Sequence, residues 1–260
     1  MEGIEGLLLD IDGVLAVSWQ ALPGAIDALA WLRAQGLPFR LITNTTTHTR
    51  ADLAQTLRDA GFDVVPDEII TAVTATAEYL RSKHQGARVW LLSDGHGRPD
   101  LEGIDLVEPH EAADVVVLGG ACDDFSYANL NHAFGLLMDG AALVGMHRNL
   151  YWRTAEGLQL DGGAFLVGLE EAARVQATIC GKPAPAYFDA ALAMLGVPAE
   201  KCAMVGDDVV NDVLGAQAVG LTGVLVRTGK FQPADVEREG ASPDHVIDSV
   251  ADLPALLGTE

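Results

Sequence analysis

Short, mostly apolar runs alternate with segments of helical spacing along most of the chain. Leu7-Leu8-Leu9 lead into an Asp-rich turn, Phe39 to Ile42 into Thr43-Asn44, and Ala203 to Val205 into Gly206-Asp207-Asp208; a further run spans Gly223 to Val226. Short runs of this kind fit strands buried on both faces of a parallel sheet. Between them, Ile26, Leu29 and Leu32 recur at helical spacing after Pro23-Gly24. Leu53 and Leu57 do so after His48-Thr49, and Phe188, Leu192 and Leu195 after Pro185. Strand, turn and helix in repetition predict an α/β fold, a doubly wound parallel sheet. In such sheets the polar groups that do chemistry sit just past the carboxyl ends of strands.

The middle of the chain has its own pattern. Residues 73–177 hold strand candidates over 89–92, 115–118 and 143–144, and a helix candidate over 127–138. That stretch is long enough for a domain, and so are its two flanks together. The expected organisation is a core built from 1–72 and 178–260, with a second α/β domain inserted between them.

Composition narrows the function classes. Sixteen Lys+Arg stand against thirty-seven Asp+Glu, a formal net charge of −21. That balance excludes a nucleic-acid binder, which needs basic patches for phosphate, and disfavours docking on anionic lipid. It does not mark disorder, because 49% of the residues are hydrophobic and the mean hydropathy is +0.22. Asp supplies 23 of the 37 acids and there are only four lysines, Lys83, Lys182, Lys201 and Lys230. Such a surface suits either plain self-repelling solubility or a high-salt environment that screens the repulsion. Cys122, Cys180 and Cys202 show no C-x-x-C spacing, so neither a disulfide framework nor a zinc site is indicated. The N-terminus lacks the signal-peptide pattern, and no apolar stretch approaches the roughly 18–20 residues of a membrane span. A cytoplasmic protein is expected.

Four motifs carry chemistry. Asp10 and Asp12 stand in L-L-L-D-I-D-G-V-L; as i and i+2 of one strand their carboxylates would face the same side, a repulsion that a cation resolves. Thr43 and Asn44, in L-I-T-N-T-T-T, can donate to an oxyanion, or the threonines can cap the next helix. Lys182, in C-G-K-P-A-P, is a cation placed just before a Pro-started helix. Asp207, Asp208 and Asp212, in V-G-D-D-V-V-N-D-V, follow an apolar strand; an N-cap and a first-turn acid account for one or two of them. Oxygen ligands without His or Cys point to a hard cation such as Mg²⁺.

In that order and at those predicted strand ends, the four motifs resemble the haloacid dehalogenase superfamily over the whole chain. The T-N-T-T run, G-K-P-A-P and V-L-V-R-T-G-K (Val224 to Lys230) look like its subfamily IIA. The resemblance implies a Rossmann-like catalytic core, an inserted cap, and an enzyme that hydrolyses a small phosphorylated metabolite, a pyrophosphate or a phosphoamidate. It implies Asp10 as nucleophile and Asp12 as general acid and base. Thr43, Asn44 and Lys182 would bind the phosphoryl group. Mg²⁺ would be held by Asp10, Asp207 and the backbone carbonyl of Asp12, with Asp208 or Asp212 orienting its waters. The intact Asp12 favours phosphate esters over dehalogenation, since halide leaves without a proton. Cap residues His147, Arg148, Asn149 and Tyr151 are candidates for specificity, Arg148 for a second anionic group, and the cap for a homodimer face. A catalytically silent binding protein and a receiver-like phospho-acceptor are the rival readings; the inserted domain has no place in the latter.

Overall fold

The predicted apolar runs form strands because their apolar side chains leave water, and the one charge among them, Arg40 in Phe39–Ile42, bonds to the Phe39 and Met194 carbonyls. In the computed structural model, which describes residues 1, 3–154 and 157–258, the first run is β1 (Gly6–Asp10), buried at all five positions. A tight hairpin, β2 (Ala16–Val17) and β3 (Gln20–Ala21), follows it. Helix α1 (Ala25–Ala34) buries Ala25, Ala28, Leu29 and Leu32. Ile26, expected on that face, is 38% exposed, because Ala25 and Ala28 take the inward positions beside Leu29 and Leu32. Strand β4 (Phe39–Thr43), helix α2 (Arg50–Asp59) and strand β5 (Ile69–Thr71) complete the first part of the core.

The chain then builds a second sheet. Helix α3 (Ala72–Lys83) starts at Thr71, whose hydroxyl accepts the Thr74 N–H at 3.2 Å while its own N–H donates to Thr74 Oγ1 at 2.8 Å. Strands β6 (Arg88–Leu92), β7 (Asp105–Leu106) and β8 (Val115–Leu118) lead to α4 (Tyr127–Met138), capped by Ser126. Next come β9 (Ala142–Gly145), an antiparallel hairpin of β10 (Tyr151–Thr154) and β11 (Gly157–Leu160), α5 (Gly162–Ala173) and β12 (Thr178–Ile179).

The return to the core begins with α6 (Pro185–Leu195). It continues with β13 (Cys202–Gly206), a π-type turn over Val209–Leu214 running into α7 (Gly215–Gln217), β14 (Thr222–Val226), α8 (Pro233–Arg238), β15 (His245–Ile247) and α9 (Leu253–Leu257).

Two compact units result. The first comprises Met1–Thr43, Arg50–Ile70 and Lys182–Glu260; the second comprises Asn44–Thr49 and Thr71–Gly181. The units divide the chain at 70/71 and 181/182. The sequence pattern did not separate 44–49, which packs with the second unit. The first unit holds a six-stranded sheet in the order β15-β14-β13-β1-β4-β5, with β15 through β4 parallel. The second holds a five-stranded parallel sheet, β12-β9-β8-β6-β7. Leu7, Leu9, Leu41, Val205 and Val224 on one face of the first sheet join Leu29, Leu32, Leu53 and Leu57 in one apolar core. Each fully buried Leu or Val stabilises the fold by about 1.5–3 kcal/mol relative to exposure. After β1 the chain adds β4 and β5 on one side and later β13, β14 and β15 on the other. The order therefore reverses between β1 and β13, the place where open α/β sheets bind ligands.

Candidate active site

Asp10 ends β1 and Asp207 follows β13, so both stand at the carboxyl side of that reversal. Lys182 reaches the same point from the segment before α6. Its Nζ donates to Asp10 Oδ1 and to Asp212 Oδ1, both at 2.6 Å. All four side chains are buried: Asp10 is 6% exposed, Lys182 7%, Asp207 2% and Asp212 1%. One carboxylate oxygen from each of Asp10, Asp207 and Asp212 lies within 4.8 Å of the others.

Burial sets the electrostatics. Loss of water pushes the carboxyls of Asp10, Asp207 and Asp212 upward, the last two to about 6, against the opposing pull of Lys182. Lys182 itself is held above its ordinary value, because Asp10 and Asp212 outweigh the cost of burying its charge. If all three carboxyls are ionised, they and the ammonium carry two net negative charges, the charge of one divalent cation.

Asp207 adds a second sign of a cation. Its Oδ2 accepts the backbone N–H of Lys230 at 2.6 Å, while its Oδ1 is buried without a hydrogen-bond partner among the described residues. A buried acceptor left alone costs about 1–3 kcal/mol, so an ordinary structural role does not explain it. Two glycines make room for that carboxylate. Gly13 and Gly229 both have positive φ, 91° and 60°. A Cβ at either would sit 2.0 or 1.9 Å from Asp207 Oδ2. All-oxygen donors and an orphaned oxygen fit a hard cation.

The other predicted residues fall into place unevenly. The expectation that Asp12 shares a strand face with Asp10 does not hold. The strand stops at Asp10, Gly13 turns the backbone so that its N–H meets the Ala16 carbonyl at 2.8 Å, and Asp12 is exposed in the loop. Asp208 caps the turn that follows it: its Oδ1 accepts from Val210 N (3.0 Å) and Asn211 N (2.9 Å), and its Oδ2 from Asn211 Nδ2 (2.7 Å). Asp212, expected behind the site, stands inside it. Thr43 ends β4, next to β1, with Asp10 paired in register with Ile42. Asn44 belongs to the second unit, its side chain against Gly181.

In the second unit, His147 is buried, with Nδ1 accepting the Asn149 N–H at 3.3 Å and Nε2 at 3.7 Å from Asp161. Burial holds its imidazole below the usual range, so the ring is neutral near pH 7. Arg148 is engaged rather than open to a second anion: its guanidinium spans both oxygens of Glu170, at 3.1 and 2.5 Å. Tyr151 is exposed at the start of the β10–β11 hairpin. Two contributors were missed in the sequence. The R-T-G-K segment gave no sign that its backbone holds Asp207, and Tyr187, beside the Phe188 of the predicted helix, was not singled out.

Known proteins resemble this chain in sequence and in fold. Residues 7–107 match the family model of the haloacid dehalogenase-like hydrolases, and 179–253 match a second one, HAD-hydrolase-like. The chain is 40% identical to human haloacid dehalogenase-like hydrolase domain-containing protein 2, over 92% of this chain and 90% of that one. It is 36% identical to the human phospholysine phosphohistidine inorganic pyrophosphate phosphatase, over 99% and 95%. Among solved structures, p-nitrophenyl phosphatase from Archaeoglobus fulgidus superposes with a TM-score of 0.89 at 26% identity, covering 98% of this chain and 99% of that one. With buried aspartates and a lysine meeting at the reversal of its sheet, the chain belongs to the haloacid dehalogenase-like hydrolases, and phosphatases of that family are its relatives in sequence and in fold.

Proposed function

We propose that the chain is a Mg²⁺-dependent phosphatase that hydrolyses a small phosphorylated metabolite through a phosphoryl group carried on Asp10. The observation that supports this most is the buried Lys182 ammonium held between Asp10 and Asp212, beside an orphaned Asp207 oxygen. Phosphoryl transfer asks mainly for positioning and charge neutralisation, which this cluster is built to supply. Asp10, Asp207 and the backbone carbonyl of Asp12 are the residues assigned to the cation, with Asp212 alongside. When bound, the cation neutralises charge on the carboxylates and on the phosphoryl oxygens.

The chain's own residues account for the remaining steps. An Asp10 carboxylate oxygen attacks phosphorus while the bond to the leaving oxygen breaks. The Asp12 carboxyl gives its proton to that leaving oxygen. It then takes a proton from water as the water oxygen attacks phosphorus and frees Asp10. The exposure of Asp12 suits this role, because an acid and base that meets both substrate and water must not be locked in an ion pair. Lys182 holds the buried Asp10 in reach of its ionised form, and Thr43, at the end of the neighbouring strand, donates to phosphoryl oxygens. The resemblance gives the same task to Asn44. The name of the phospholysine relative extends the leaving groups to nitrogen and to phosphate, for which the same acid serves.

The test is hydrolysis of p-nitrophenyl phosphate by the purified chain with Mg²⁺, before and after EDTA. Turnover that EDTA abolishes and Mg²⁺ restores supports the reading. No turnover with any phosphomonoester in the presence of Mg²⁺ overturns it in favour of a silent binding protein.

A further inference from the structure

Tyr187 is fully buried on the first turn of α6, five residues after Lys182, yet its hydroxyl does not enter the carboxylate cluster. Instead it gathers two strand ends. The phenolic oxygen accepts the Thr43 N–H at 3.0 Å. Its proton is shared between the carbonyl oxygens of Ile70, at 3.0 Å, and Thr43, at 3.2 Å. The ring is fixed in turn by an edge contact with Phe188, centroids 5.8 Å apart. Thr43 and Ile70 are the last residues of the first unit before each passage into the second, and the chain returns at Arg50 and then at Lys182. One hydroxyl thus fixes both exits, on a segment that also carries the site's buried cation.

A core aromatic needs none of this. Phenylalanine would fill the same volume, whereas a buried hydroxyl is tolerated only with its partners in place. We infer that Tyr187 is a positioning residue for phosphoryl transfer: its hydroxyl sets the backbone of Thr43, and so places the threonine hydroxyl, in fixed relation to Lys182 and Asp10. The inference rests on the phosphoryl-binding role given to Thr43 above. Because the Thr43 N–H is taken by Tyr187, the residue's own hydroxyl is the donor it brings to the substrate.

The experiment compares Y187F, T43V, the double variant Y187F/T43V, and F188L as a control that loosens the same helix without removing a hydroxyl. Y187F is expected to lose about 10- to 100-fold in kcat/KM with p-nitrophenyl phosphate, the scale of a small misplacement of a positioned group. It should weaken inhibition by inorganic phosphate in parallel. The double variant should lose little beyond T43V alone, because both changes remove the same placement. Y187F within twofold of the parent, losses that multiply in the double variant, or an equal loss in F188L at the same thermal midpoint would each overturn the inference. T43V with full activity overturns the reading of Thr43 itself and the inference with it, whereas a damaged T43V beside an intact Y187F overturns the inference alone. A measurement on the unaltered chain stands whether or not Y187F folds: the Thr43 amide, bonded to Tyr187, should exchange its hydrogen as slowly as Leu41 within β4, and fast exchange contradicts the anchor.

Discussion

At the scale of single residues, the site works by making charge expensive and then compensating it. Asp10, Asp207 and Asp212 are buried far beyond what a surface acid tolerates, and Lys182 answers only part of their charge. Lys182→Ala is therefore expected to lower kcat about 10²- to 10³-fold, the scale seen when one pre-placed donor to developing charge is removed. Near-normal turnover would show that the lysine only balances the fold. Asp10→Asn keeps the shape and removes the attacking oxygen, so turnover should vanish while the thermal midpoint holds or rises. Gly229→Ala tests the cradle: a Cβ 1.9 Å from Asp207 Oδ2, at a φ of 60°, should weaken Mg²⁺ in an activation titration. An unchanged half-saturation would mean that the carboxylate has room to move. The sequence placed Asp10, Lys182 and Asp207 together, but not Asp12 or Asp212. Asp12 was read as a strand residue and lies in a loop, while Asp212 was read as orienting the cation's waters and binds Lys182 directly.

At the scale of elements, the reason for that error is visible in the backbone. The Val213 N–H reaches the Asp208 carbonyl at 3.4 Å beside the Asp212 N–H at 3.0 Å, the wider π-type turn. It turns Asp212 inward, where its Oδ2 accepts the Asp208 N–H at 3.1 Å. An ideal helical spacing read from the sequence cannot show such a turn. Strands and long helices were easier. Runs such as Val115–Leu118 are apolar throughout because both faces are covered, and α4 covers the expected 127–138. The short hairpin β2–β3 escaped notice, since Ser18 and Trp19 make its turn at φ 48° and 62° without the usual glycine. Capping offers a test at this level. Thr71→Ala removes a buried cap from α3, and should cost about 1–2 kcal/mol in urea unfolding. No loss would mean that packing, not the cap, sets where α3 begins.

At the scale of the whole molecule, the acidic composition and the site are parts of one electrostatic problem. A net charge of −21 repels a phosphate dianion, and the buried carboxylates add to that field. A cation that binds the folded chain alone must raise its stability by mass action. Mg²⁺ should therefore raise the thermal midpoint, EDTA should reverse the rise, and Asp207→Asn should blunt it. A midpoint indifferent to Mg²⁺ would count against the cluster as a cation site. Self-repulsion across the surface also predicts a midpoint that climbs with KCl as charges are screened; a flat response would show that the exposed ion pairs already balance the surface. The central claim is narrower than any of these, and the fate of the phosphoryl group tests it directly. Acid-quenched turnover of p-nitrophenyl phosphate, reduced with borohydride and digested, should yield the peptide around position 10 with Asp10 converted to homoserine, the product of an acyl phosphate. Turnover that leaves Asp10 unmodified, or that marks another residue, would contradict the account.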